Sequence, residues 1–383
     1  MGCQGSTMAK LSRGAKKQKT DTFDVTIADD GRAPQTIEEE LQLKSLSEVV
    51  HKLRNNPENS AIREKCLVVL QERISHDLGT DADEENRNTI VECDGIHALV
   101  CVLEKTTELP CVVPAFWILH YLSETASLQN KLTSAGLVKQ GLLCLRSHPS
   151  EVSLLRTGFK TLTNVAANNM RIKFNIVSLG GYQIITDAMA EHAGHAELQF
   201  DSCHLLRVVI HNAVTQDRLA SIGGAEHLTN AMINHIDVED LQVEGCAALG
   251  NLAHGHQKNG TKVAAAGGCE AITRAMEKYP SSAKMQEKGC QALRYVVGVN
   301  PDLASKYGMG SAVDLICLAL QNHADNEGVV EQAAFGIRDF VAEAPEVKEK
   351  VLALGAVEIL NQVKDGDLPH ITKRSALDAL KYL

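Results

Sequence analysis

Apolar residues recur along the chain at spacings of three and four residues, which is the pattern of one helix face. After Gly268, for example, Ile272, Ala275 and Met276 follow this spacing, whereas a half-buried strand would alternate at every second residue. Similar segments are separated by short links that are polar or contain proline, such as Tyr279-Pro280-Ser281-Ser282. The pattern therefore predicts helices throughout residues 37–383 and no strand.

The helical segments form an internal repeat. Residues Gly245-Cys246-Ala247-Ala248-Leu249-Gly250-Asn251-Leu252-Ala253 align without a gap with residues 289–297. Equivalent windows follow one another at steps of 43 or 44 residues and begin at Pro114, Gly158, Ser202, Gly245, Gly289, Ala333 and Ala376. A second marker is a small-residue turn before another apolar segment, at Gly95, Gly136, Gly181, Gly224, Gly268, Gly310 and Gly355. A helical period of about 40 to 47 residues is typical of α-solenoids, whose units pack only on their neighbours.

Within this class the sequence resembles armadillo repeats, over roughly Ile37 to Leu383. In that family a Gly-Ala or Gly-Gly turn opens the second helix, and the third helix reads small-small-x-Ala-Leu-x-Asn-Leu-Ala, as Gly245 to Ala253 does. The resemblance implies an all-α fold, an armadillo-type right-handed α-solenoid (superhelix) of about seven to eight repeats. We expect a disordered leader and spacer at residues 1–36 and a solenoid at 37–383, with approximate units 37–93 (a cap), 94–134, 135–179, 180–222, 223–266, 267–307, 308–353 and 354–383 (a cap).

The resemblance also implies a binding groove lined by third helices, where peptide receptors of the family carry a ladder of asparagines. At the matching position this sequence has His120, Asn164, Val208, Asn251, Tyr295 and Asp339. One residue earlier, three units carry Arg207, Arg294 and Arg338, whose guanidinium groups suit carboxylate or phosphate groups of a partner. The alternative is that each arginine pairs with an acidic residue of the neighbouring repeat. The predicted groove residues are Phe116, His120, Asn164, Arg207, Asn251, Arg294, Tyr295 and Arg338.

Composition and motifs favour a binding protein over an enzyme. The 383 residues carry a net charge of -10 and only 4% aromatic residues, which argues against nucleic acid as a partner. The close histidine pairs His192/His195 and His254/His256 have no cysteine or carboxylate at metal-binding spacing. Neither a phosphate-binding loop nor a nucleophile elbow occurs. We expect no catalytic residues, no metal and no cofactor, and we interpret the recurring Cys203, Cys246 and Cys290 as packing residues.

The first 20 residues differ in chemistry from the rest of the chain. Met1-Gly2-Cys3-Gln4-Gly5-Ser6 fits the pattern for myristoylation of Gly2, and Cys3 stands where dually acylated proteins carry palmitate. A basic patch without any acidic residue follows, formed by Lys10, Arg13, Lys16, Lys17 and Lys19. One acyl chain binds a membrane only weakly, and a second chain or a basic patch makes attachment stable. The alternative is an unmodified, disordered leader.

Together these features resemble the yeast-vacuole type of acylated armadillo protein and the armadillo-only membrane adaptors of protists. That resemblance implies a non-catalytic scaffold, cytoplasmic and peripheral on a membrane, whose groove recruits a protein or an extended peptide, an acidic one being an option. Its second partner is an anionic membrane surface. The alternatives are a soluble peptide receptor, or a regulatory subunit in transport or complex assembly.

Overall fold

The structure is a computed structural model that describes residues 36–42, 44–298 and 300–383. These residues form helices and short connections, and no strand occurs among them. The predicted lipidation sites Gly2 and Cys3 and the basic patch from Lys10 to Lys19 lie outside the described residues.

The described helices follow one another with links of a few residues. In chain order they are α1 (Ile37–Gln42), α2 (Leu46–Asn55), α3 (Ser60–Asp77), α4 (Ala82–Glu92), α5 (Gly95–Lys105), α6 (Leu109–Ser123), α7 (Ala126–Ser134), α8 (Leu137–Ser147), α9 (Val152–Ala166), α10 (Met170–Ser178), α11 (Gly181–Glu191), α12 (Ala196–Val209), α13 (Ala213–Ser221), α14 (Gly224–Asn234), α15 (Glu239–Ala253), α16 (Gln257–Ala265), α17 (Gly268–Lys278), α18 (Ala283–Val297), α19 (Pro301–Met309), α20 (Ser311–Asn322), α21 (Glu327–Glu343), α22 (Lys348–Ala353), α23 (Ala356–Asp365) and α24 (His370–Leu380). A short 3-10 helix, Pro345–Val347, precedes α22.

The helices are arranged as stacked triplets. In α7–α9, for example, a short first helix is followed by a second helix and a longer third helix. Third helices pack on one another in a continuous row that runs from α3 through α6, α9, α12, α15, α18 and α21 to α24. Second helices form a parallel row from α2 through α5, α8, α11, α14, α17 and α20 to α23. One hydrophobic core extends along the stack between these rows, and Cys203, Cys246 and Cys290 are fully buried in it.

Buried glutamines join the second and third helices of three successive units. Gln199, Gln242 and Gln286 recur 43 and 44 residues apart, and each is at most 3% exposed. The Nε2 of Gln242 donates to the carbonyl oxygens of Met232 (3.0 Å) and His235 (2.9 Å) at the end of α14. Helix ends leave such carbonyls without intrahelical donors. Gln242, on the third helix α15, therefore donates hydrogen bonds to the carbonyl groups at the end of the second helix α14.

A glycine pair shows how the second helices begin. Gly267 has φ +79°, the left-handed conformation in which one helix can end before another starts. At Gly268 a Cβ would lie 2.8 Å from the carbonyl oxygen of Val263, so the chain passes too closely for a side chain. Gly310 differs from this expected turn, because its backbone is extended (φ -76°, ψ -154°) between α19 and α20.

Among the described residues, no single helix combines the length and apolar character needed to cross a membrane. Helices α19 and α20 have the required length and apolar character only when they are taken together, and the chain bends by 69° between them.

Candidate protein-binding surface

The row of third helices presents partly exposed side chains along one face. Residues three or four apart on a helix project to the same side, and the partly exposed positions of these helices follow that spacing. We call this face the third-helix surface. Its partly exposed residues include Trp117, His120, Lys160, Asn164, Phe200, His204, Arg207, Asn251, Arg294, Tyr295, Phe335 and Arg338.

The prediction that Phe116 contributes to this surface is wrong. Its side chain is 0% exposed and packs in the core against α8, where a Cβ on Gly141 would lie 3.1 Å from the Phe116 Cζ. Consecutive helical residues point about 100° apart, so a shift of one position moves a side chain from the surface to the core. Trp117 is the partly exposed aromatic here, and it stacks on Tyr121 with ring centroids 6.2 Å apart.

Three of the predicted residues meet at one pocket. Asn164 on α9, Arg207 on α12 and Asn251 on α15 line a depression of about 450 Å³ on the third-helix surface. We call it the central pocket. The other polar residues that line it are Thr163 on α9, His204 on α12 and Lys173 on the first helix α10. His204 and Lys173 were not among the residues predicted from the sequence.

The two asparagines are held in place and keep spare hydrogen-bonding capacity. The Nδ2 of Asn251 donates to the carbonyl oxygen of Arg207 at 3.0 Å, one repeat earlier. The Nδ2 of Asn164 donates to the Oγ of Ser123, also at 3.0 Å and one repeat earlier. Each bond uses one of two N–H groups, and the side-chain oxygen can accept further bonds. Both amides can therefore contact the backbone of a bound segment.

The central pocket is lined by two basic side chains, Arg207 and Lys173. The Nε of Arg207 donates to the carboxylate of Glu244 on the next third helix, so its charge is largely compensated. Burial, followed by the nearby Arg207, lowers the pKa of Lys173. Burial is also the main cause of the lowered pKa of His204, which favours a neutral imidazole. Among the described residues that line the pocket, none is acidic.

Arg294 and Arg338 belong to a second cluster farther along the row. Their guanidinium carbons both lie 5.0 Å from the ring centroid of Phe335, and that of Arg294 also lies 4.7 Å from Tyr295. Asp339 accepts from both arginines, at 3.2 Å from Arg294 Nε and 2.7 Å from an Arg338 terminal nitrogen. Two cations therefore share one carboxylate, and the aromatic rings favour the same positive charges.

His120 lies toward the other end of the surface and is held in its neutral form. Burial, with a smaller effect from Lys160, lowers the pKa of His120 to about 4. Its Nδ1 is buried without a hydrogen-bond partner in the described part of the chain. Its Nε2 lies 3.8 Å from a carboxylate oxygen of Glu124.

The close histidine pairs have structural contacts. The Nε2 of His192 donates to the carbonyl oxygen of Pro149 (2.8 Å), and the Nδ1 of His195 accepts from the backbone N–H of Leu198 at the start of α12. The ring of His254 packs on Tyr295 with centroids 4.2 Å apart. No cluster of three or more potential metal ligands occurs in residues 36–42, 44–298 and 300–383.

Comparison with solved structures shows an armadillo-type fold. An engineered protein from a structural genomics consortium superposes with a TM-score of 0.70 at 17% identity, covering 91% of this chain and 86% of that one. A designed armadillo repeat protein matches with a TM-score of 0.57 at 17% identity, over 64% of this chain and 99% of its own. Another designed armadillo repeat protein, in complex with the peptide (KR)4, matches with a TM-score of 0.56 at 16% identity, over 64% of this chain and 98% of its own.

No family model matches the sequence, and no curated protein sequence matches it either. The prediction of an all-α, armadillo-type solenoid is confirmed by the structural matches.

Proposed function

We propose that this protein is a non-catalytic scaffold that binds an extended segment of a partner protein along the third-helix surface. The central pocket is the observation that supports this most directly, because Asn164 and Asn251 are fixed there and retain free amide groups. A structural neighbour, the designed armadillo repeat protein, is in complex with the peptide (KR)4. Solenoids in general use such long surfaces for binding.

A display library of random extended peptides, selected against the full chain, tests this proposal. Selected peptides should bind the wild type and lose at least tenfold in affinity for Asn164→Ala/Asn251→Ala. The control is Asn322→Ala, which removes an exposed asparagine from the second helix α20. If the selected peptides bind the double variant as tightly as the wild type, the proposed site is wrong.

We further propose that the leader attaches the scaffold to the cytoplasmic face of a membrane. Support comes from the sequence, where an acceptor glycine (Gly2), an adjacent thiol (Cys3) and five basic residues follow one another within 19 residues. Two acyl chains give stable attachment, and basic residues near an anionic surface add about 1 kcal/mol each. The net charge of the chain is -10, so the leader differs in sign from the rest.

Metabolic labelling with a myristate analogue separates this proposal from a soluble peptide receptor or regulatory subunit with an unmodified leader. The tether predicts label on the wild type, none on Gly2→Ala, and sedimentation of only the wild type with membranes. An unlabelled wild type that partitions like Gly2→Ala would favour the soluble alternative.

A further inference from the structure

We infer that the central pocket binds an anionic side chain of the partner segment, with Lys173 as the main charge partner. This inference rests on the proposed function, because it assumes that a segment lies along the third-helix surface. From the sequence, three arginines were the candidates for binding an anionic group of the partner. The structure favours the central pocket instead. The ligand group is a carboxylate or a phosphate carried by an extended peptide.

The three arginines are poor candidates for binding this anionic group, because each already has a carboxylate partner. Arg207 is already paired with Glu244, and Arg294 and Arg338 share Asp339. A ligand carboxylate would have to compete with these carboxylates, which are already in place. The pairs are only partly exposed, so their attraction is less screened than that of a surface pair. Arg207 and Arg294 therefore hold neighbouring repeats together, and Arg338 is paired with an acidic residue of its own helix.

Lys173 is in a different position. It is half-buried, lines the central pocket, and has no ion pair or hydrogen bond from its side chain within the described chain. Burial and, as a smaller effect, the like charge of Arg207 lower its pKa. A partly desolvated ammonium group without a counter-ion is unfavourable. An anionic ligand would supply that counter-ion.

The rest of the pocket fits such a ligand. The spare N–H groups of Asn164 and Asn251 can donate to the backbone or to the anion, and none of the described side chains that line the pocket is acidic. In an extended peptide, every second side chain points to the same side. One acidic side chain can therefore enter the pocket while the backbone stays within reach of the amides. The (KR)4 peptide of the designed neighbour has the opposite charge.

The test uses alternating octapeptides as probes, because their four identical side chains share one side of the extended peptide and a register shift of two residues offers the same side chain to the pocket. Affinities are measured by fluorescence anisotropy for (ES)4, for the neutral peptide (QS)4, for (KR)4, and for a version of (ES)4 with phosphoserine in place of glutamate. The wild type should bind (ES)4 at least tenfold more tightly than (QS)4 and (KR)4. Equal or tighter binding of the phosphoserine peptide would identify phosphate as an accepted form of the same anion.

Two variants isolate the pocket. Lys173→Met should reduce the preference for (ES)4 over (QS)4 to less than threefold, whereas Lys131→Met, which removes an exposed lysine from the first helix α7, should leave it unchanged. Glu244→Gln should instead tighten (ES)4 binding several-fold, because it frees the guanidinium of Arg207. A damaged fold would weaken binding, so this gain cannot arise from misfolding.

Equal binding of (ES)4 and (QS)4 by the wild type, or an unchanged preference in Lys173→Met, would overturn the inference. Absence of (ES)4 binding would overturn it as well. If display-selected peptides still required Asn164 and Asn251 in that case, the proposed function would stand and only the anionic pocket would fail.

Discussion

The Nε2 of His235 lies 2.8 Å from the carbonyl oxygen of Ala193, which is 42 residues earlier in the chain. A carbonyl oxygen only accepts, so the imidazole must carry its hydrogen on Nε2. His235 ends the second helix α14, and Ala193 lies in the link that follows the preceding second helix, α11. The bond therefore joins two adjacent repeats at equivalent places.

The same contact recurs along the stack. The residue directly after each of four other second helices donates a side-chain hydrogen bond to a backbone carbonyl oxygen in the link one repeat earlier. The donor–acceptor distances are 2.6 to 2.8 Å in the pairs His148–Thr107, His192–Pro149, Tyr279–Ile236 and His323–Pro280. Four histidines and one tyrosine thus form a ladder of hydrogen bonds between neighbouring units. In a solenoid the interfaces between neighbours provide much of the stability, and this ladder fixes their register.

We expect His235→Ala to destabilise the protein. The substitution removes the donor and leaves the Ala193 carbonyl to water, a loss of about 1 kcal/mol in the free energy of unfolding. Urea denaturation followed by circular dichroism measures this loss. His51→Ala, an exposed histidine on α2, is the control and should change stability by less than about 0.5 kcal/mol. Identical unfolding curves for the two variants would show that the ladder contributes no stability.

Gln242→Leu should cost more than His235→Ala. The residue is 0% exposed, and the substitution keeps its size while leaving the Met232 carbonyl without the Gln242 donor. The His235 carbonyl loses the same donor but keeps the bond from the backbone N–H of Val238. A buried acceptor without a partner costs about 1 to 3 kcal/mol. Removal of the Gln242 Oε1, which is itself unpaired in the described structure, offsets part of this. We expect a net loss of about 2 kcal/mol by denaturant unfolding, against little change for Gln140→Leu on α8. A Gln242→Leu variant as stable as the wild type would contradict this role.

The repeat made much of the fold predictable from sequence. Each unit must bury the same face, so small residues and leucines recur at fixed spacing, and Gly245 to Ala253 falls within the third helix α15 as predicted. The histidine and glutamine ladders were not predicted, because their acceptors are backbone carbonyls. Carbonyls carry no sequence signal, so only the recurrence of His148, His192 and His235 at spacings of 44 and 43 residues could have suggested a shared role.

The residues of the candidate site were predictable only where they occupy a repeated position on the third helices. Asn164, Arg207 and Asn251 line one pocket because they occupy related positions on neighbouring third helices. Lys173 reaches the same pocket from a first helix, a contact that depends on tertiary packing. Phe116 shows that an error of one residue in helix register places a side chain in the core. The alternative interpretation was that the arginines pair with acidic residues of the neighbouring repeat. Arg207 and Arg294 do so.

Gly268→Ala and Gly194→Ala should have opposite effects. At Gly268 the new Cβ would lie 2.8 Å from the Val263 carbonyl oxygen and 2.6 Å from its Cγ1, so helix α17 would have to shift. Such overpacking costs about 1 to 3 kcal/mol. At Gly194 a Cβ meets nothing within 4 Å and the backbone is not left-handed, so alanine should be neutral or stabilising, by up to about 1 kcal/mol. Thermal melting of both variants measures the contrast, and similar melting temperatures would argue against the close approach at Gly268.

His120 should make the protein less stable as the pH falls from about 6.5 to about 4. Burial lowers the pKa of His120 from 6.5 to about 4, so the unfolded chain binds this proton more readily than the folded one. Stability therefore rises with pH across this window, and the contribution is complete above 6.5. A shift of this size corresponds to at most about 3 kcal/mol, and the Glu124 carboxylate, 3.8 Å from Nε2, offsets part of it. Urea unfolding at a series of pH values should show a steeper loss for the wild type than for His120→Gln, which has no proton to gain. Parallel profiles for the two proteins would mean that His120 ionises equally well in the folded and unfolded states.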